Sequence, residues 1–376
     1  MAGGYGGGRR SRPGAGLAAW IRVKLSGSRQ AKSCLSRAWQ NLRDPRPMSA
    51  TSYYLAGDTG GTNTRLLLAR QAGTGAPETM HREIYASAEY DSLDAILMEF
   101  LLDAPDLDGV CFAVAGPVHT EVDGRQHVRL TNLPWRIDSQ TLAERFGFTH
   151  VRLLNDFEAI AHGLVVLDDD DFVTLQDGVP IEDGVRAVMG AGTGLGQAIA
   201  IPRTVHGHQR MQVIPSEAGH RDMAPATLHE AQLWHWLQGQ FGRATWEHCL
   251  SGSGLLEIYR FSANEHCMSA TALHEPAAIS AAALKGDDPQ AVAALDMFVG
   301  LYASCAANLA LSCLPRGGLY LAGGIAPQIL PRLQQADVVE RFTHKAPMGA
   351  LLKTIPLYVI THDSPGLLGA LHVAMS

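Results

Sequence analysis

Short apolar runs interrupted by glycine-rich polar turns set the pattern of this chain. YYLA (Tyr53 to Ala56) enters the turn GDTGGTNTR (Gly57 to Arg65) and LLLA (Leu66 to Ala69) leaves it; RAVM (Arg186 to Met189) enters GAGTGLGQ (Gly190 to Gln197) and AIAI (Ala198 to Ile201) leaves that one. Both stretches read as strand, turn, strand, and their separation of about one domain length predicts two related α/β halves. VRLLNDFEAIAHGL (Val151 to Leu164) reads as a buried strand, then Asn155-Asp156, then a helix with Phe157, Ile160, Ala161 and Leu164 on one face. In GGLYLAGGIAPQIL (Gly317 to Leu330) a strand ends at Gly323-Gly324 and a helix begins near Pro327. Met297 to Leu314 reads as an almost wholly apolar core helix with small residues along it.

Glycine turns of this kind let backbone N–H groups approach an anion, and Thr62 and Thr193 add hydroxyl donors. A P-loop is excluded because no lysine follows either turn, and a dinucleotide fingerprint because Leu195 stands where its third glycine belongs. Two ordinary glycine hairpins remain the alternative for either turn alone; the pair together favours nucleotide binding.

Asp156 falls where a strand ends and a helix begins, the place where α/β folds bind ligands and where a helix terminus favours an ionised carboxylate. Plain capping by Asn155 or Asp156 is the competing reading. A second polar set, Glu217 and His220, lies in PSEAGHRDMAP, held out of helix by Pro215 and Gly219, and Glu247 precedes a glycine-serine turn. Singly, each could be a solvated charge or a satisfied loop histidine. Together they suit a polyol, whose adjacent hydroxyls need several converging carboxylate and amide groups.

With 376 residues, 46% of them hydrophobic, the chain has material for roughly two domains. No uninterrupted apolar run approaches the roughly 20 residues that cross a bilayer, so no membrane role is expected. Residues 1–47 carry ten Lys and Arg and one acid, Asp44, and read as a basic disordered leader, with Met48 as a natural start and an organellar transit peptide as the rival. The remainder has a net charge of −16, which disfavours nucleic acid as a partner. Cys34, Cys111, Cys249, Cys267, Cys305 and Cys313 are scattered without CxxC spacing; Cys305 and Cys313 read as buried thiols of a reducing cytoplasm. His229-Glu230 is followed by Leu233 where a helical zinc motif requires His, so no structural metal is expected.

From about Tyr53 to its end the chain resembles the bacterial glucokinases of the non-repressor type, on GDTGGTNTRL, TNLPW, LLNDFEAIA, GAGTGLG, SEAGHRDMAP, EHCLSGSGL, LAGGIAPQIL and HDSPGLLGA, in that order over some 320 residues. The resemblance implies an actin-like sugar kinase, two ribonuclease-H-like lobes closing on ATP and glucose. It implies Asp156 as the base that accepts the proton of the glucose 6-hydroxyl, and Asn155, Glu217, His220 and Glu247 as ligands of sugar hydroxyls. Gly57, Asp58, Thr59, Gly60, Gly61 and Thr62, with Gly192, Thr193 and Gly194, would hold ATP phosphates. Gly323 and Gly324 would border adenine, and Asp58 would anchor Mg2+, through water. The expected organisation is a small lobe over residues 52–166 plus 362–376, a large lobe over 167–361, and a cytoplasmic homodimer. Ser216 and Ala218 depart from the glycines more usual beside the sugar-binding Glu, the loop after Gly116-Pro117 differs locally, and no cysteine-rich motif follows His220 as in repressor-type kinases. A broader hexokinase is one rival. A sugar-sensing regulator on the same scaffold is another, for which the leader is too short and aperiodic to supply a helix-turn-helix.

Overall fold

In the computed structural model, which describes residues 51–205, 208–265 and 273–376, the alternation of apolar runs and turns becomes two mixed sheets. The leader with Cys34 and Met48, and Cys267, lie outside the described residues. Residues 52–71 and 75–376 form one compact unit. The first half runs β1 (Thr51–Thr59), β2 (Asn63–Ala72), β3 (Glu78–Ala86), α1 (Leu93–Phe100), β4 (Gly109–Val114), β5 (His119–Thr120), β6 (Gln126–Arg129), β7 (Arg136–Asp138), α2 (Ser139–Phe146), β8 (Val151–Asn155) and α3 (Asp156–Gly163). Its main sheet has the order β3-β2-β1-β4-β8, with β1, β4 and β8 parallel. Strands β5, β6 and β7 form a separate small sheet.

The second half repeats the plan. It runs β9 (Phe172–Gln176), β10 (Arg186–Ala191), β11 (Leu195–Val205), β12 (His208–Ser216), α4 (Leu228–Phe241), α5 (Gly252–Glu265), α6 (Pro276–Lys285), α7 (Pro289–Cys313), β13 (Gly318–Ala322), α8 (Ile325–Gln328), α9 (Leu330–Leu333), α10 (Ala336–Thr343), α11 (Gly349–Leu352), β14 (Leu357–Ile360) and α12 (Pro365–Ala374). The sheet order is β12-β11-β10-β13-β14-β9, so both sheets share a third-second-first-fourth-fifth arrangement, and β9 adds an antiparallel edge to the second. Each glycine turn joins the first and second strands of its half.

Helix α7 spans 25 residues and is the core of the second half. It begins eight residues before the Met297 expected from the apolar run, because Asp288 caps it by accepting from the N–H groups of Gln290 and Ala291, and Pro289 is already helical in φ. By length and composition it could cross a bilayer, contrary to the sequence expectation, since the polar Gln290, Asp296, Ser304 and Asn308 interrupt but do not outweigh its apolar residues. Phe298 and Tyr302 are fully buried with Leu319 of β13 and Leu357 of β14, so α7 is a core helix. Cys305 is fully buried on it, whereas Cys313 at its end is partly open.

Helix α3 sits at the junction of the two halves. One face puts Phe157, Ile160 and Leu164 against Val188, Ala198 and Tyr320 of the second sheet. The other puts Ala159 with Leu367, Ala370 and Leu371 of α12 over Ala56 and Ala113 of the first sheet. Glycines make the α3–α12 crossing close: a β-carbon at Gly163 would lie 2.7 Å from the Pro365 carbonyl oxygen, and one at Gly369 would collide with the Ala159 carbonyl. The last helix thus packs against the first sheet as well as against α3.

Candidate active site

Strand β8 ends at Asn155 and α3 begins at Asp156, the register expected from the apolar pattern. The side-chain oxygen of Asn155 accepts from the Phe157 N–H (3.0 Å) while its amide donates to the Gly116 carbonyl (3.3 Å). Asp156 also accepts from the Phe157 N–H, at 2.9 Å. Capping and chemistry therefore share this position. Burial lifts the Asp156 carboxyl to about 7; the Phe157 N–H opposes the shift, and the charges of Asp58 and Glu217 add to it. Asp58 and Glu217, from distant parts of the chain, thus lie within electrostatic reach of Asp156.

Asp58 lies near the end of β1, pushed above its ordinary value by burial and partly held down by Arg65, whose guanidinium stands 3.7 Å away. The start of α12 comes over it: a β-carbon at Gly366 would sit 3.8 Å from Asp58 Oδ2 and 3.9 Å from the Asp156 carbonyl. Sequence reasoning gave HDSPGLLGA no role. Its signal was present in Ser364-Pro365, a helix-start pair whose serine hydroxyl accepts from Arg82 (2.8 Å).

Glu217 and His220 flank a single 3-10 turn, Ala218–His220, directly after β12. Their loop is zipped to the loop of Glu247: the Glu247 N–H donates to the Gly219 carbonyl (3.0 Å) and the Trp246 N–H to that of Arg221 (2.9 Å). His220 Nδ1 consequently lies 3.7 Å from Glu247 Oε1. Arg221, which the sequence did not single out, pins this turn by donating to the Ala218 carbonyl (3.2 Å) and to Gln197 of β11 (3.1 Å). Glu247 also reaches the second glycine turn: its Oε2 accepts from the Leu195 N–H (2.9 Å) at the exit of that turn. A β-carbon at Gly194 would stand 2.5 Å from that oxygen, so only glycine fits there without displacing the carboxylate.

Both glycine turns leave donors free. In the first, the Gly60 N–H is spent on the Asn63 carbonyl; in the second, the Gly192 N–H is spent on Gly194. The N–H groups of Gly61, Thr62, Thr193 and Gly194 donate to no protein acceptor among the described residues. Such unspent amides are what an anion needs. Gly57 and Thr59 lie lower, inside β1, where a β-carbon on Gly57 would collide with the Phe112 ring and Thr59 is fully buried. Asn132, in the TNLPW segment, stands against the first turn, 2.7 Å from where a Gly61 β-carbon would be. Gly323 (φ +81°) closes on the Ala191 carbonyl and so adjoins the second turn, while open space surrounds the α-carbons of Gly192 and Gly324. Helix α8 starts at Ile325, two residues before the Pro327 expected.

A family model described as Glucokinase matches residues 55–376. The glucokinase of Synechocystis sp. is 37% identical over 349 residues, spanning 84% of this chain and 96% of its own. That of Pseudomonas aeruginosa (strain UCBPP-PA14) is 34% identical over 334 residues, spanning 88% and 96%. Among solved structures, a glucokinase from an Antarctic psychrotroph superposes with a TM-score of 0.74 at 31% identity, covering 86% of this chain and 99% of that one. A ROK family glucokinase from Streptomyces griseus in complex with glucose and AMPPNP shares the fold, with a TM-score of 0.56 at 20% identity over 87% and 99% of the two chains.

Proposed function

This chain belongs to the glucokinase family and carries out ATP-dependent phosphorylation of D-glucose at O6, and from that premise we propose how its own residues divide the work. Asp156 is the general base, hydrogen-bonded to the 6-hydroxyl as that oxygen attacks the γ-phosphoryl group. Asn155, Glu217, His220 and Glu247 hold the remaining hydroxyls. The free amides of Gly61, Thr62, Thr193 and Gly194 hold phosphates, with Gly57 to Gly60 shaping the first cradle and Gly323-Gly324 bordering adenine. The observation that carries this assignment is the electrostatic reach of Asp58 and Glu217 to Asp156 together with two glycine turns whose N–H groups are unspent.

Phosphoryl transfer asks mainly for alignment and for cancellation of negative charge. A carboxyl lifted to about 7 is well matched to accept a proton at neutral pH, yet is ionised in about half the molecules there. Glu247, bonded to the second turn and facing His220, links sugar binding to phosphate placement. Mg2+ fits one carboxylate here: Asp58 is half-buried, has Arg65 as its cation at 3.7 Å, and belongs to no ready-made cluster of three ligands among the described residues. Asp58 would hold the ion through water, leaving the nucleotide to supply other ligands, and the ion would offset phosphate charge.

The lobes are proposed to be 52–166 with 362–376, and 167–361, hinged at α3 and closing on glucose to exclude water. A reducing cytoplasm, which suits the buried thiols of Cys111, Cys249 and Cys305, and a homodimer complete the proposal. Purified protein given Mg-ATP and glucose should form glucose 6-phosphate, and Asp156→Asn should lose on the order of 100-fold or more in kcat. Near-full turnover of that variant would remove Asp156 from the mechanism.

A further inference from the structure

On the outward side of the small β5-β6-β7 sheet, Arg129, Arg136, His119 and His127 line a cavity of about 430 Å3 walled by Pro117 and Pro134. Strand register puts Arg129 directly opposite Arg136 and His119 opposite His127. The two imidazoles stack, with centroids 5.4 Å apart and planes at 23°. Like charges placed opposite each other across a ladder destabilise it. Other arginines of this region are neutralised: Arg125 holds Asp138 at 2.7 Å and Arg145 holds Asp94 at 3.0 Å. Arg129 and Arg136 have no side-chain hydrogen bond or ion pair among the described residues. Of the acids near the cluster, Glu121 stands 3.7 Å from His127, and Asp138, opposite His127 on β7, is already engaged by Arg125 and by the Thr141 N–H.

We propose that this cavity is a binding site for a phosphate monoester dianion, separate from the glycine-turn cradles. Two unspent guanidinium groups match the tetrahedral oxygens of a phosphate, each able to donate two parallel hydrogen bonds. The imidazoles add donors, and the two proline faces give the organic part of an ester an apolar wall. The site lies on the same hairpin whose turn carries Asn132 to Gly61.

Titration calorimetry on the full chain, with the catalytic site filled by glucose and a nonhydrolysable ATP analogue, tests it with three probes: orthophosphate, glucose 6-phosphate and glycerol 3-phosphate. At least one probe should bind, and the double variant Arg129→Gln/Arg136→Gln should weaken it by about 10-fold or more, the worth of charge-assisted hydrogen bonds, while kcat and KM without the probe stay within about 2-fold. Esters binding more tightly than orthophosphate would support the proline wall; equal affinities would narrow the ligand to the phosphate group itself. Absence of binding by the unaltered protein, or an affinity in the double variant equal to that of the unaltered protein, would overturn the site.

Discussion

At the scale of single residues, Asp156 as the proposed base would set the pH behaviour. A base works when ionised, so kcat/KM for glucose should fall with a one-proton dependence as pH drops below about 7, and Asp156→Asn should abolish that limb together with most turnover. The same shift has a stability consequence of opposite sign. An acid whose folded value is raised binds its proton more tightly in the native state, so this group's contribution declines as pH rises from about 4 to about 7. Asp156→Asn should therefore melt at a higher temperature than the parent at pH 8, which calorimetry at pH 5 and pH 8 would check. Glu247→Ala should raise KM for both glucose and ATP, by roughly 10-fold where a charge-assisted bond is lost, because one carboxylate touches the sugar loop and the second turn. A rise for glucose alone would contradict that double role. Asp156 was legible in the sequence from its place between a strand and a helix. Its pKa was not, since burial and the approach of Asp58 and Glu217 depend on folding that no local pattern encodes.

At the scale of elements, the close crossing of α3 and α12 holds Asp156, the proposed base, in place. Gly369→Ala would drive a methyl into the Ala159 carbonyl, and should lower stability by about 1–3 kcal/mol, visible as a reduced Tm, with kcat falling as α3 shifts. A variant with unchanged Tm would mean the crossing is looser than its contacts imply. The strands beside both glycine turns were readable from apolar runs a few residues long. The start of α7 was not, because its first turns carry Gln290 and Asp296; the usable signal was Asp288-Pro289, a cap followed by a proline. Arg221 was overlooked for a related reason: a lone arginine in a polar loop carries no periodicity, and its hold on Gln197 appears only when β11 and the loop meet.

At the scale of the whole molecule, two sheets of the same strand order place two similar turns beside one helix that belongs to neither half alone. Glucose should draw the halves together around α3, so small-angle scattering should record a smaller radius of gyration with glucose than without it. The duplication was visible in the sequence as two strand-turn-strand units, whereas the edge strand β9 and the small β5-β6-β7 sheet were not, each strand being too short, at two to five residues, to show a period. The most direct single test is the crystal structure of the complex with glucose and a nonhydrolysable ATP analogue. An Asp156 carboxylate oxygen about 2.6–3.2 Å from the glucose 6-hydroxyl, with the γ-phosphate beyond that hydroxyl, is the expected result. A 6-hydroxyl bonded elsewhere, with Asp156 turned toward solvent, would contradict it.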